Sequence, residues 1–154
     1  MRKTIDRVLE ITLASLLAIM TIDVLWGVFT RYVVGSQASW SEELARFLLI
    51  WIGILGAAYA SGKKMHLAID LYPMSLPPER RKKLNFFIYV LIIAFVFVSF
   101  VIGGSRLVYV TSTLGQTSAA LRVPLAFVYS IVPISGLFII YFKISDILQG
   151  THHS

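Results

Sequence analysis

The stretch SWSEELARFLLIWIGILGAAYASGKK, residues 39–64, decides the fold of this chain. It opens with two carboxylates, Glu42 and Glu43, and a cation, Arg46, and no further charge follows until Lys63. Roughly 20 consecutive apolar residues are enough for a helix to cross the hydrocarbon core of a bilayer. The stretch is therefore expected to be a membrane-spanning helix with its charges near the N-terminal end.

Three further segments share this length and apolar character. The 154-residue chain is 57% hydrophobic and 14% charged, with a mean hydropathy of +0.79, whereas soluble domains are about 25% charged. Backbone groups in lipid must be bonded internally, and the segments lack the alternation of a barrel strand. We predict an all-α membrane protein. Its single domain, residues 1–150, has four transmembrane helices at about 8–32, 41–62, 84–111 and 123–148, and a disordered tail follows at 151–154.

The basic residues predict the orientation of these helices. Ten of the fourteen lysines and arginines lie before helix one, between helices two and three, or, as Lys143, directly after the apolar part of helix four, residues 123–142. Positive residues stay on the cytoplasmic side, so both termini are expected to be cytoplasmic, in the cytoplasmic (inner) membrane of a bacterium or archaeon. The net charge of +6 is then explained by topology and by contact with lipid headgroups, without nucleic acid. A cleaved signal peptide is disfavoured because the first apolar segment is too long.

The connections carry further local signals. Leu67, Leu71 and Met74 share one face of a short helical stretch, which favours an amphipathic interfacial helix between helices two and three, with an extended connector as the alternative. Ser39 and Glu42 have the spacing of a capping box. In helix four, Pro124 is expected in the first turn and Pro133 is expected to produce a kink.

Asp23 and the opening charges are the most informative polar residues. Asp23 lies too deep in helix one to reach the interface, and an ion pair with Arg46 or Arg106 is favoured over proton transport. Glu42 and Glu43 are both spaced to meet Arg46 on the helix surface. That triplet either neutralises itself at the headgroup level or docks a partner, and the spacing favours neither.

Other candidates are weaker. Gly53 and Gly56 lie on small-residue lines that permit close approach of a helix, and Trp51 is too deep for the headgroup belt that suits Trp40. His66 and Asp70 have metal-ligand spacing, but typical zinc sites use three or four protein ligands, so a structural role is favoured. No catalytic triad, glycine-rich loop or membrane-embedded histidine is present in the sequence. The chain is expected to be neither an enzyme nor a cofactor binder.

The chain resembles the small membrane subunit of tripartite ATP-independent periplasmic (TRAP) transporters, the DctQ-like proteins. The most specific part is W-S-E-E-L-A-R at residues 40–46, followed by Trp51, residues 56–58, and His66 with Asp70. The resemblance resumes at A-L-R-V-P, residues 120–124, and at P-I-S-G, residues 133–136. It covers nearly the whole chain and agrees with the predicted helices and orientation.

The resemblance implies a subunit that scaffolds a large DctM-like permease and helps dock a DctP-like periplasmic binding protein. Such systems take up organic acids, such as C4-dicarboxylates or sialic acid, with sodium coupling expected in the large subunit. The rival hypothesis is a stand-alone, proton-coupled multidrug exporter that uses Asp23. Residues assigned to subunit contact or structure are Asp23, Arg31, Trp40, Glu42, Glu43, Arg46, Trp51, Gly53, Gly56, His66, Asp70 and Arg106. Residues assigned to periplasmic docking are Ser36, Gln37, Gln116, Ser118 and Arg122.

Overall fold

Long apolar helices form the protein. The computed structural model describes residues 2–36, 38–63 and 78–150. Their helices are α1 (Arg2–Val33), α2 (Ser39–Gly62), α3 (Pro78–Val96), a π-helical segment (Phe97–Gly103), α4 (Gly104–Thr113), α5 (Leu125–Tyr129) and α6 (Ile131–Gly150). Four stretches are long and apolar enough to cross a membrane: Thr4–Val33, Ser39–Gly62, Lys83–Thr113 and Leu125–Leu148. The predicted all-α class with four spanning segments is confirmed, and these described ranges contain no strand.

Two helices begin earlier than the hydropathy pattern predicted. The helix α1 starts at Arg2 rather than near residue 8, and α3 starts at Pro78 rather than near residue 84. Hydropathy indicates where the apolar segment ends, whereas a helix continues for as long as its backbone hydrogen bonds can form. Pro78 suits a first helical position because its missing N–H has no partner there in any case. The interfacial helix expected within 64–77, with His66 and Asp70, falls outside the described residues.

The interior is built around α2 and α6. One apolar cluster joins Leu9 of α1 to Leu55 of α2 and Phe142 of α6, and a second joins Ala58 of α2 to Val96 of α3 and Ile139 of α6. Both central helices therefore contribute to both clusters, whereas α1 and α3 each contribute to one. Because four spans follow one another along the chain, both termini lie at one end. We call the opposite end, with residues 34–36, 38 and 114–124, the distal end.

Glycines allow the third and fourth spans to approach closely. A Cβ atom on Gly104 would lie 2.9 Å from a Val132 methyl and 3.0 Å from the Pro133 ring, and one on Gly136 would lie 2.8 Å from Phe100 Cβ. Phe100 belongs to the π-helical segment, so the irregular part of the third span lies against α6. By contrast, Gly53 and Gly56 have no heavy atom within 4 Å of such a Cβ. Within the described chain, no helix therefore approaches α2 closely at these two glycines.

The fourth span is interrupted near the proline that was expected to kink it. Pro124 is the N-cap of α5 rather than a first-turn residue, and the helix is interrupted at Ser130 before α6 begins at Ile131. Pro133 has no N–H to donate to the carbonyl of Tyr129, four residues earlier, and its ring crowds that turn. The missing N–H of Pro133 therefore removes one backbone hydrogen bond from this apolar span.

Candidate functional site at the distal end

A tight loop closes the distal end between α4 and α5. The helix α4 ends in a Schellman motif: Gly115 adopts φ +60°, its N–H donates to the carbonyl of Ser112, and Gln116 N–H donates to the carbonyl of Thr111. Thr117 then pairs with Pro124 as an isolated antiparallel bridge. The loop reverses direction because the helix α4 ends at the sequence Leu-Gly-Gln, residues 114–116.

The Glu43 carboxylate holds this loop against α2. It accepts hydrogen bonds from the backbone N–H groups of Ala119 (3.1 Å), Ala120 (2.8 Å) and Leu121 (2.8 Å). Consecutive amides that converge in this way form an anion-binding nest, and here the anion is a side chain of the same protein. The loop and α2 are thereby fixed to each other at one point.

Glu42 and Arg46 have a different role from Glu43. Arg46 Nη2 lies 3.1 Å from Glu42 Oε1, and both side chains are largely exposed. The self-neutralised pair is therefore confirmed for these two residues. The predicted capping box is wrong: α2 begins at Ser39 itself, its N-cap is Ala38, and no side chain caps it. Glu42 is one turn in and bonds forward to Arg46 instead.

Trp51 joins α2 to the backbone of the fourth span through a side-chain hydrogen bond. Its indole N–H donates to the carbonyl of Val128 at 3.0 Å, and its ring lies 5.6 Å from that of Phe127. The interpretation of Trp51 as a large apolar contact was thus incomplete. A signal for a bond of this kind was present in the sequence, because a deep indole N–H needs an acceptor.

Replacing Trp51 with phenylalanine should destabilise the protein by about 1–2 kcal/mol, because the hydrogen bond to the buried Val128 carbonyl is lost while an aromatic ring is kept. Val128 is buried, whereas Trp26 on α1 is 48% exposed. Trp26→Phe is the matched control and should leave the Tm unchanged. Thermal unfolding in a mild detergent measures both, and equal Tm values for the two variants would contradict the role of the hydrogen bond.

Asp23 does not form the ion pair that the sequence favoured. It is only 6% exposed, and neither carboxylate oxygen accepts a hydrogen bond from any described residue. Arg46 pairs with Glu42, and Arg106 is exposed on α4. The Asp23 backbone does contribute, because Ser41 Oγ donates to its carbonyl at 3.1 Å and so ties α1 to α2. The side chain is a buried polar group without compensation.

Replacing Asp23 with leucine should raise the Tm of the isolated chain, because burying a polar group without a hydrogen bond is costly. The backbone hydrogen bond from Ser41 would be retained. Ser41→Ala is the comparison, since it removes that bond and should lower the Tm. A lower Tm for Asp23→Leu would show that the carboxyl group has a stabilising partner in the chain.

A second charged cluster lies near the ends of the chain. Lys143 and Asp146 of α6 are both buried, with Nζ and Oδ2 4.0 Å apart, and Lys143 Nζ lies 5.3 Å from the centre of the Tyr89 ring. The sequence placed Lys143 among the headgroup-facing cations. In the structure the residue instead packs between the third and fourth spans.

The remaining candidates are divided by exposure. Ser118, assigned to docking, is buried, and its hydroxyl accepts a hydrogen bond from Val123 N–H. It belongs to the loop interior, and Gln37 falls outside the described residues. The candidates exposed to the surroundings are Arg31, Ser36, Trp40, Gln116 and Arg122.

Comparison with known proteins assigns the fold to a family. Residues 20–152 match the sequence model described as "Tripartite ATP-independent periplasmic transporters, DctQ component". A protein of Haemophilus influenzae named as a TRAP transporter small permease is 38% identical over 82 residues, which cover 53% of this chain and 51% of that relative. This match therefore spans about half the length of the relative.

Two other relatives carry sialic acid in their names. The sialic acid TRAP transporter small permease protein SiaQ of Vibrio cholerae is 26% identical over 97% of this chain and 84% of its own length. The sialic acid TRAP transporter permease protein SiaT of Haemophilus influenzae is 36% identical over 46% of this chain, a segment that makes up only 11% of SiaT.

Proposed function

The chain belongs to the DctQ family of TRAP transporters, and we propose that it scaffolds a large permease subunit and helps dock a periplasmic binding protein during uptake of an organic acid. It is a small permease subunit and a multi-pass membrane protein. The observation that carries the proposal is the family match over residues 20–152.

The exposed apolar surface supports the scaffolding role. Only 6% of the third-span window and 11% of the first-span window is buried within the chain, against 33% for the fourth. The first and third spans therefore have apolar surface to share between lipid and a large permease. The match to a short part of SiaT supports the same pairing, because there a similar segment occurs within a much larger permease polypeptide.

The distal loop supports the docking role. With both termini cytoplasmic, as the basic residues predict, the distal end faces the periplasm, where a soluble binding protein would approach. The substrate that we propose is a carboxylate, such as sialic acid or a C4-dicarboxylate, and its identity is set mainly by the partners. Sodium coupling is assigned to the large subunit, as is the transport path.

Reconstitution tests the proposal. The chain is co-expressed with a large TRAP permease of the same organism and placed in liposomes with an inward sodium gradient. The binding protein is added outside with radiolabelled organic acid. Uptake should require all three proteins, and this chain should co-purify with the permease. Solute transport by the chain alone would overturn the proposal and favour the exporter.

A further inference from the structure

The charges at the distal end do not cancel once their contacts are counted. Glu42 and Arg46 neutralise each other, and the Glu43 carboxylate is occupied by three backbone amides. Among the described residues, Arg31 and Arg122 are exposed and form no ion pair. The accessible charge at this end is therefore positive, although the sequence has acidic and basic residues there.

Arg122 is also the one non-glycine residue in the described chain with a left-handed backbone, at φ +54°. Side chains with a Cβ rarely adopt this region, which costs roughly 1 kcal/mol or more and persists only where the surroundings impose it. Here the surroundings are the Glu43 hydrogen bonds to residues 119–121 and the bond from Ser118 N–H to the carbonyl of Val123. Glycine would fit this turn without strain, yet the position holds a long cation.

We propose that Arg122 docks an acidic side chain on the soluble binding protein, and that Glu43 is the positioning residue that fixes the turn from which Arg122 projects. The inference rests on the proposed function and specifies the chemistry of its partner. The neighbouring Ala119 and Ala120 are small and exposed, so a protein surface can approach the turn closely. A guanidinium suits such a contact because it bonds a carboxylate in a defined geometry.

A protein partner is favoured over anionic lipid by the rigidity of the turn. A lipid phosphate is mobile and would be reached equally well by an arginine on a flexible loop. A carboxylate on a folded protein has a fixed position, and a strained, clamped turn is an arrangement that could match it. Complementary charge of this kind chiefly affects the rate and salt dependence of association.

The test measures binding of the cognate periplasmic protein to the complex of this chain with its permease, in nanodiscs of neutral lipid. Arg122→Gly should weaken binding about tenfold, while the Tm of the complex stays equal or rises because glycine relieves the turn. Arg122→Lys should retain part of the affinity. Raising the ionic strength should weaken binding by the wild type more than by Arg122→Gly.

Each alternative outcome is distinguishable. Unchanged affinity for Arg122→Gly would overturn the inference. So would a loss that occurs only in nanodiscs with anionic lipid, because Arg122 would then serve the headgroups. If the wild-type complex does not bind the periplasmic protein at all, the docking part of the proposed function fails first. Glu43→Gln should also weaken binding, with faster amide exchange at residues 119–121.

Discussion

Glu43→Gln should release the distal loop from α2 and produce one of the largest losses of local order that a single substitution can cause in this chain. The carboxylate accepts three backbone hydrogen bonds from Ala119, Ala120 and Leu121. An amide side chain has one acceptor oxygen in place of two charged ones, and its NH₂ group would face the N–H donors. Hydrogen exchange at these three amides should accelerate about tenfold or more.

The control for this experiment is the preceding residue. Glu42→Gln removes the same charge from the same turn of α2, but Glu42 bonds only to the exposed Arg46 among the described residues. Exposed ion pairs of this kind contribute little to stability. Exchange at residues 119–121 should be unchanged in this variant. If both variants accelerate exchange equally, the effect comes from the charge of α2 and not from the carboxylate clamp.

Gly136→Ala should destabilise the contact between α6 and the π-helical segment. The added methyl would lie 2.8 Å from Phe100 Cβ and 3.3 Å from a Val101 methyl, and Phe100 Cβ cannot rotate away because it is attached to the backbone. Overpacking of this kind typically costs about 1–3 kcal/mol. The Tm in detergent should fall, and less folded protein should be recovered.

Gly53→Ala is the matched control, since a Cβ there meets no atom within 4 Å. Alanine in place of glycine within a helix is favourable by about 0.5–1 kcal/mol, so the Tm of the isolated chain should stay equal or rise. The two substitutions are chemically identical and should move the Tm in opposite directions. A fall in both would mean that helix propensity and packing do not explain the result.

The fold was predictable because span length and hydropathy act over consecutive residues. The four spans and the resemblance to DctQ-like proteins both follow from local sequence. The ends of the helices followed less well: α3 starts at Pro78 and α2 at Ser39, since helix termini depend on backbone bonding that hydropathy does not report.

The sequence identified residues of the candidate site but did not predict which residues they contact. Glu43 was identified from its distance to Arg46 on the same helix, whereas its partners lie 76–78 residues away in the chain. Helical spacing shows which residues share a face and does not show what lies opposite. The same reason explains why the sequence indicated Gly53 as a position that permits close approach, whereas within the described chain the close approaches are at Gly104 and Gly136.

The arrangement of α1 and α3 on either side of the α2–α6 pair has a consequence for how the subunit is solvated. The flanking helices α1 and α3 each have a separate apolar surface, and neither surface depends on contact with the other. A permease could cover the apolar surface of one of these helices while lipid acyl chains contact the other, and no buried residue would have to repack. One flanking helix can therefore contact a partner protein while the other stays exposed to lipid.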